Sequence, residues 1–366
     1  MRVIPVEKSR VRAEAARLQA YFADQGAATV ETDILLPAEV LLDLYGEEIR
    51  HRAYVTNDPM RGEMMLRPDF TVPVVQWHME SGADPARYTY AGEVFRKQDE
   101  MQERPLEYFQ VGYEIFDGSN PPAADAEVFA LFSDALAPLN LRAATGDIGV
   151  LMAAVRGLKT TEMRRNALLR HIWRPRRFRA LMTRYSDKGT EIREENFARV
   201  RANITAQDAP AIGLRSDAEI HARVLALSTD AAEEPISSSE IELLNDILSL
   251  KETMPNVLSA LRDIAVDMKA ILPAVNQLRA RADALDARGV DVQNLEFETS
   301  YGRTSMEYYD GFVFGFYAEG RPDLPPVATG GRYDALSSVL GQGRSIPAVG
   351  GVMRPEMMLS LQENAK

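Results

Sequence analysis

The spacing of apolar residues predicts an amphipathic helix near the start of the chain, over residues 9–25. Apolar side chains recur there at intervals of three or four positions, at Val11, Ala15, Leu18 and Phe22. Gly26 follows where such a helix would end. A short strand in TVETDILLP and a second helix from about Ala38 are predicted next.

Two apolar, aromatic-rich runs at 88–97 and 107–116 are separated by the polar loop QDEMQERP. This pattern predicts a long β-hairpin. The following segment, AADAEVFALFSDALAPLNL, has helical apolar spacing and predicts a helix that ends near Pro138.

The character of the chain changes between residues 151 and 290, which are rich in Ala, Leu, Arg and Glu and carry few strand signals. Serine caps and the terminating Gly289 bound the last helical part, and strand-like sequence returns from Val292. We therefore predict a discontinuous core formed by 1–150 and 291–366, with a helical insertion at 151–290.

Composition narrows the function classes. Hydrophobic residues make up 46% and charged residues 26% of the chain, and no apolar run approaches the ~18 residues of a membrane span. Cysteine is absent, the N-terminus lacks an apolar signal core, and the four histidines have no ligand spacing. We expect a cytoplasmic protein without a metal or another cofactor. The net charge of -12 opposes non-specific nucleic-acid binding.

Alternation in EYFQVGYEIF places Gln110, Gly112 and Glu114 on one strand face and Val111, Tyr113 and Ile115 on the other. Glycine between two polar residues leaves room for a ligand near the backbone, and a glutamate accepts hydrogen bonds from an amine or an imidazole N–H. A half-solvated sheet face is the alternative. Arg96, at the end of the preceding run, has a guanidinium suited to a carboxylate or phosphate, or to a surface ion pair.

Four segments resemble class II aminoacyl-tRNA synthetases, and histidyl-tRNA synthetases most closely. Residues 88–116 resemble motif 2, and GGRYD at 330–334 running into AVGGVMRPEM resembles the segment leading into motif 3. LRPDFT at 66–71 is similar to LRPEGT, and YGRTSMEYYDGFVF at 301–314 to RGLDYYTGTVFE. The resemblance implies an α+β fold: a class II synthetase-like antiparallel sheet flanked by helices, with a helical insertion.

The resemblance also implies a histidine site. Asp69 and Thr71 would hold the ammonium group, and Arg96 the carboxylate; in the synthetases that arginine also contacts the ATP α-phosphate. The candidates for the amine or the imidazole are Gln110, Glu114 and one of Tyr308 and Tyr309, since these two tyrosines would point to opposite strand faces. Arg303 matches in type but not in spacing. A plain turn at Pro68–Asp69 and tyrosines in the sheet core are the alternative interpretations.

Several departures affect the contacts that synthetases make with ATP. Gln98 replaces the glutamate of the FRxE pattern, and Leu106 and Met357 stand where ATP-binding arginines occur; Arg354 lies three residues before the latter position. Two lost charge-assisted contacts of ~1.5–3 kcal/mol each would weaken triphosphate binding by about two to four orders of magnitude. The anticodon-binding domain is expected to be absent, and the motif 1 proline of the dimer seam is replaced by Asp33.

A synthetase-like core of this kind resembles the regulatory subunit of ATP phosphoribosyltransferase. The resemblance implies a non-catalytic protein that is required for activity of the short-form catalytic subunit and for feedback inhibition by histidine in the first step of histidine biosynthesis. It also implies a homodimer within a hetero-oligomer, a hetero-octamer in the family. The alternative is an active enzyme that adenylates histidine or another amino acid.

The strongest local charge lies between Arg156 and Arg184, where ten Lys or Arg residues accompany one acid, Glu162. Trp173 and Phe178 are interleaved with them. A solvated helix face, a protein interface and an RNA-binding surface all fit this pattern. The acidic remainder of the chain opposes tRNA as a partner.

Overall fold

The computed structural model of the chain describes residues 6–45, 49–98, 105–205, 215–303, 308–341 and 343–364. Residues 99–104, the middle of the predicted polar loop, and 304–307, within the YGRTSMEYYD segment, lie outside these ranges. The helices are α1 (Lys8–Asp24), α2 (Ala38–Tyr45), α3 (Ile49–Arg52), α4 (Thr71–Ser81), α5 (Pro121–Leu136), α6 (Ile148–Gly157), α7 (Glu162–Arg170), α8 (Pro175–Tyr185), α9 (Thr190–Thr205), α10 (Asp217–Ala232), α11 (Ser238–Ser249), α12 (Met254–Asp267), α13 (Leu272–Ala287), α14 (Asp334–Leu340) and α15 (Pro355–Asn364).

The strands are β1 (Ala28–Thr29), β2 (Leu35–Pro37), β3 (Val55–Asp58), β4 (Gly62–Leu66), β5 (Ala86–Phe95), β6 (Glu107–Phe116), β7 (Arg142–Asp147), β8 (Lys251–Thr253), β9 (Glu296–Glu298), β10 (Phe312–Tyr317), β11 (Ala328–Arg332) and β12 (Ala348–Met353). They form a nine-stranded sheet in the order β1-β5-β6-β12-β11-β10-β7-β9-β8 and a three-stranded sheet in the order β2-β4-β3. The large sheet is antiparallel except for the pairs β1–β5 and β7–β9.

The predicted first helix is confirmed as α1, which buries Val11, Ala15, Leu18 and Phe22. Gly26 follows it with φ +89°, a backbone conformation that favours glycine. The single strand predicted in TVETDILLP is wrong, because β1 joins the large sheet and β2 the small one. Between them the polar residues 31–33 are not paired in either sheet.

The predicted hairpin is confirmed as β5 and β6, which pair from Ala86 opposite Phe116 to Phe95 opposite Glu107. Strands from both ends of the chain meet in this sheet, because β12 pairs with β6. Between β7 and β9 the described residues form helices α6 to α13, and the short strand β8 at the sheet edge interrupts this helical run.

Each face of the large sheet covers its own apolar core. Val111, Phe314 and Val349 belong to the larger core, into which α1, α5, α6 and the helices α11 to α13 contribute side chains. Tyr90, Val352 and Tyr333 belong to the second core, together with residues of α2 and α4. No helix in the described ranges has the length and apolarity needed to cross a membrane.

Candidate functional site

The strand β6 separates an apolar face from a polar one, as its alternation predicts. Val111, Tyr113 and Ile115 lie in the larger core. Gln110 and Glu114 point to the opposite face and are completely buried. The polar face is therefore not a half-solvated surface, and a carboxyl and an amide are enclosed within the protein. We refer to the residues around Glu114 on this face as the cradle.

Glu114 is held by three hydroxyl groups from different parts of the chain. Tyr90 on β5 donates to its Oε1 at 2.7 Å, and Tyr333, after β11, donates to its Oε2 at 2.5 Å. The Thr71 hydroxyl, at the start of α4, lies 3.4 Å from Oε1. These bonds fix the carboxyl group in one orientation.

Burial raises the pKa of Glu114 to about 7, because removal from water disfavours the charged form. The three hydroxyl donors act in the opposite direction, while the negative charge of Asp69 adds to the rise. The carboxyl group therefore changes charge close to neutral pH, and it can both accept and donate hydrogen bonds in that range.

Glycines make the space that these side chains occupy. A Cβ atom on Gly350 would lie 1.5 Å from Oε2 of Glu114, and a Cβ on Gly331 would lie 2.8 Å from the Tyr309 ring. The paired glycines of β11 and β12 thus admit protein side chains. The expectation that Gly112 leaves room for a ligand is wrong. The Tyr90 ring fills this space, and a Cβ atom on Gly112 would lie 2.1 Å from it.

Asp69 lies beside the Glu114 carboxyl and precedes α4. Its Oδ1 atom accepts a hydrogen bond of 3.5 Å from the Val72 backbone N–H, so it also closes the turn that the sequence offered as an alternative role. Its charge contributes to the raised pKa values of Glu114 and Tyr309. Asp69, Thr71 and Glu114 are therefore brought together.

Tyr308 and Tyr309 both contact the cradle. They precede β10 and are not part of a strand, so the expectation that they point to opposite strand faces is wrong. Their ring centroids lie 4.8 Å apart, and Tyr308 is 6.2 Å from Tyr333. Tyr309 is buried, and its pKa is raised by burial and then by the charge of Glu114.

Gln110 differs from the other candidates in its hydrogen bonding within the part of the chain that the structure describes. Neither Oε1 nor Nε2 has a hydrogen-bonding partner among the described residues, although the side chain is fully buried. It lies directly opposite Gly92 in the β5–β6 pair. An unpaired buried amide is unfavourable by ~1–3 kcal/mol, so the position is better suited to a bound state than to an empty one.

Arg96 directly follows the strand β5. Its Nε atom donates to the Pro68 carbonyl at 2.7 Å, which ties it to the LRPDFT segment. Arg354 lies near enough for the charge of Arg96 to contribute to its lowered pKa, of which burial is the main cause. The Arg354 guanidinium donates to the Pro326 carbonyl.

Three residues stand where synthetases have residues associated with ATP binding, and none of them carries a charge. Met357 packs in the larger core, and Leu106 has a half-exposed side chain at the start of β6. Gln98 lies at the start of the segment between β5 and β6, and its side-chain amide is 3.5 Å from the carbonyl of Pro105 at the other end of that segment.

Arg303 belongs to a different environment from the other candidates. It is buried, its Nε donates to the Ile172 carbonyl at 2.7 Å, and its guanidinium carbon lies 4.9 Å from the centre of the Phe178 ring. Its Nη2 atom has no hydrogen-bonding partner within the described ranges. Arg303 therefore contacts the segment between α7 and α8 and α8 itself.

Sequence reasoning did not assign three residues that shape the cradle: Tyr90, Tyr333 and Gly350. The signal for Tyr90 was its position opposite Gly112 in the hairpin register, and Tyr333 lies within the GGRYD segment itself. Among the described residues no three acidic or histidine side chains are grouped closely enough to hold a metal ion.

Comparison with known proteins gives one consistent result. The family model described as histidyl-tRNA synthetase matches residues 2–191 and 217–358. The chain is 30% identical to a protein of Mesorhizobium japonicum, over 98% of this chain and 99% of that protein, and 32% identical to one of Agrobacterium fabrum, over 90% and 91%. Both relatives are named ATP phosphoribosyltransferase regulatory subunit.

Solved structures show the same fold at lower sequence identity. A Bacillus halodurans protein titled ATP phosphoribosyltransferase regulatory subunit/histidyl-tRNA synthetase aligns with a TM-score of 0.67 and 21% identity, over 99% of this chain and 81% of that one. The histidyl-tRNA synthetase of a Nostoc species aligns with a TM-score of 0.65 and 16% identity, over 99% and 74%. The α+β, class II synthetase-like fold predicted from the sequence is thereby confirmed.

Proposed function

Because this chain belongs to the histidyl-tRNA synthetase family, within its group of ATP phosphoribosyltransferase regulatory subunits, we propose that it binds histidine in the cradle and controls a short-form catalytic subunit. The chain itself is non-catalytic in this proposal. It acts in the cytoplasm as a homodimer within a hetero-oligomer, where it is required for catalytic activity and transmits feedback inhibition by histidine.

The proposal rests on a contrast within one site: the candidate contacts for an amino acid are present, whereas the arginines that would bind ATP phosphates are replaced. Asp69 and Thr71 meet Glu114 on one sheet face, and Gln110, whose buried amide has no hydrogen-bonding partner among the described residues, lies on the same face of β6. The two positions expected to grip ATP phosphates are occupied by Leu106 and Met357, neither of which carries a charge. Such a site retains groups suited to an amino acid and lacks those suited to a triphosphate.

In the proposed complex, the histidine imidazole lies against Glu114 and a tyrosine of the 308–309 pair. The ammonium group is held by Asp69, with Thr71 and the Gln110 amide beside it. Arg96 takes the carboxylate, to which a planar guanidinium can donate two parallel hydrogen bonds. Arg303, whose Nε is bonded to the Ile172 carbonyl, acts outside this set.

Regulation requires that histidine bind one state of the assembly more tightly than another. A coupling free energy of ~1–3 kcal/mol changes affinity by about 5- to 150-fold, which is enough for feedback control. Elements from distant parts of the chain meet at Glu114, because Tyr90, Thr71 and Tyr333 all bond to it. A ligand that reorganises these bonds can therefore shift β5, α4 and the β11–α14 junction together.

The same site argues against the adenylating alternative. Adenylation requires the α-phosphate to be positioned for attack while the remaining phosphates are neutralised. Leu106 and Met357 supply no positive charge for those phosphates, and the Arg354 guanidinium donates to the Pro326 carbonyl. We propose that adenylation activity has been lost.

Two measurements on the purified chain test the proposal. Titration calorimetry with histidine, alone and with the catalytic subunit, is expected to show binding that Glu114→Ala abolishes. Histidine-dependent ATP–pyrophosphate exchange is expected to be absent. Appreciable exchange would establish the synthetase alternative, and absence of histidine binding under both conditions would eliminate the sensor.

A further inference from the structure

The basic segment between Arg156 and Arg184 divides into buried and exposed arginines. Arg164 is completely buried, pairs with Asp230 at 2.7 Å, and donates to the backbone carbonyls of Asp230, Glu233 and Glu234 at the end of α10. Arg165 donates to the carbonyls of Leu158 and Thr160. These hydrogen bonds hold the helical region together, and the buried Arg164 is not open to a partner.

The remaining charge is concentrated around the start of α8. We call the exposed side chains there the arginine surface: Arg170, Arg176, Arg177 and Arg179. Within the described ranges, none of these four forms an ion pair with an acidic side chain. Arg170 and Arg177, with Arg174, surround His171 closely enough to lower its pKa, although burial is the larger cause. The surface is thus a group of uncompensated positive charges on an acidic protein.

The two aromatic residues of this segment are not part of that surface. Phe178 is buried beneath Arg303, and the Trp173 indole N–H donates to the Tyr309 carbonyl at 3.3 Å. Proteins that bind single-stranded RNA use exposed aromatic rings on which bases stack, whereas in this segment Phe178 is buried and Trp173 half-buried. The net charge of -12 also repels a polyanion at long range.

Carboxylates are the better match for the arginine surface. A guanidinium binds a carboxylate through two parallel hydrogen bonds, and charged side chains at an interface set partner choice and association rate. The segment is also ordered in advance, because Arg303 bonds to the Ile172 carbonyl and Trp173 to the Tyr309 carbonyl. These bonds connect the surface to the tyrosine pair of the cradle.

We propose that the arginine surface docks onto a carboxylate-rich surface of the short-form catalytic subunit. This inference rests on the proposed function, since it specifies where the partner binds. Docking there places the partner beside the 172–173 segment, one hydrogen bond away from Tyr309. The surface is therefore an interaction site that lies outside the histidine cradle and adjoins it.

The test uses a double variant, Arg170→Gln with Arg177→Gln, and measures its affinity for the intact catalytic subunit by calorimetry or interferometry. Removal of two interfacial charges is expected to weaken binding by about tenfold or more and to reduce its dependence on salt. The matched control is Arg262→Gln with Arg279→Gln, which removes two exposed arginines from α12 and α13. The control is expected to retain wild-type affinity and salt dependence.

Each contrary outcome has a distinct meaning. Equal affinity and equal salt dependence for the two double variants would overturn the inference while leaving the proposed function intact. Binding of a labelled single-stranded RNA at about 0.15 M salt, lost in the Arg170/Arg177 variant while subunit binding is unchanged, would assign the surface to RNA instead. Failure of the wild-type chain to bind the catalytic subunit would refute the proposed function, and this inference with it. Unchanged melting and histidine titrations verify that the double variant is folded.

Discussion

Replacing Gln110 by methionine is expected to stabilise the unliganded protein and to weaken its binding of histidine. The amide is completely buried on β6, and neither of its polar atoms has a hydrogen-bonding partner among the described residues. Methionine has a similar size and flexible shape, so it fills the same space without a polar group. The substitution thus removes an unfavourable burial and a proposed ligand contact at once.

The two magnitudes follow from the same buried amide. Leaving a polar group unpaired in the interior is unfavourable by ~1–3 kcal/mol, so the variant should gain about that much unfolding free energy. A hydrogen bond to a charged ligand group contributes ~1.5–3 kcal/mol, so histidine affinity should fall by about 10- to 150-fold. Stability and affinity are expected to change in opposite directions.

The assay is urea unfolding of the unliganded protein together with calorimetric titration of histidine. Thr89→Val is the matched control, since Thr89 is equally buried on the neighbouring strand β5 but its hydroxyl donates to the Gly112 carbonyl at 2.9 Å. Removing this satisfied hydroxyl should lower stability by ~0.5–1.5 kcal/mol. Its side chain points away from the cradle, so histidine affinity should not change.

A Gln110→Met variant that is destabilised by ~1 kcal/mol or more, the scale of an ordinary lost hydrogen bond, while it binds histidine normally would contradict this prediction. Such a result would mean that the amide is satisfied in the unliganded protein and makes no contact with the ligand.

Three further predictions concern other parts of the molecule. Gly350→Ala would place a Cβ 1.5 Å from the Glu114 carboxylate, so it should abolish histidine binding in calorimetry and destabilise the fold by ~1–3 kcal/mol; normal binding would contradict this. Because the pKa of Glu114 is raised to about 7 from 4.5, the folded state holds its proton more tightly than the unfolded state, and wild-type stability should fall as pH rises from about 5 to 8. Glu114→Gln should therefore gain stability relative to wild type across that window, by up to about 3 kcal/mol, and a flat difference would argue against the raised pKa. Arg164→Met removes the nearer of the two arginines that pair with the buried Asp230, the other being Arg184 at 3.7 Å, and should destabilise the helical region by ~3–5 kcal/mol, with faster hydrogen exchange in α10; Arg164→Met with Asp230→Leu should recover part of the loss.

Local patterns were sufficient for much of the fold. The helix α1 follows from apolar spacing within one segment, because it buries a single face, and the β5–β6 hairpin follows from two apolar runs separated by a polar loop. The prediction of a single strand over residues 29–37 is wrong, since the two ends of this segment are paired in different sheets. Which sheet each end joins depends on distant strands, and the nine residues show no apolar periodicity that would reveal it.

Local patterns were also insufficient to predict all the residues of the cradle. Motif resemblance and alternation identified Glu114, but not the hydroxyls of Tyr90 and Tyr333 that orient it, which lie 24 and 219 positions away in sequence. Nor does residue type show that Arg303 bonds to the Ile172 carbonyl, because this contact depends on how the helical region packs. Long-range packing determines these partners, and a single sequence does not specify it.

In the proposed function, this chain activates and regulates a catalytic partner. The most direct measurement is the rate of phosphoribosyl transfer to ATP by the short-form catalytic subunit, assayed alone, with this chain, and with this chain plus histidine. We expect a marked increase in rate when the chain is added and inhibition of that increase by histidine, with about 10- to 150-fold more histidine needed for inhibition in Gln110→Met. A rate that is unaffected by the chain, or activation that histidine does not alter, would contradict it.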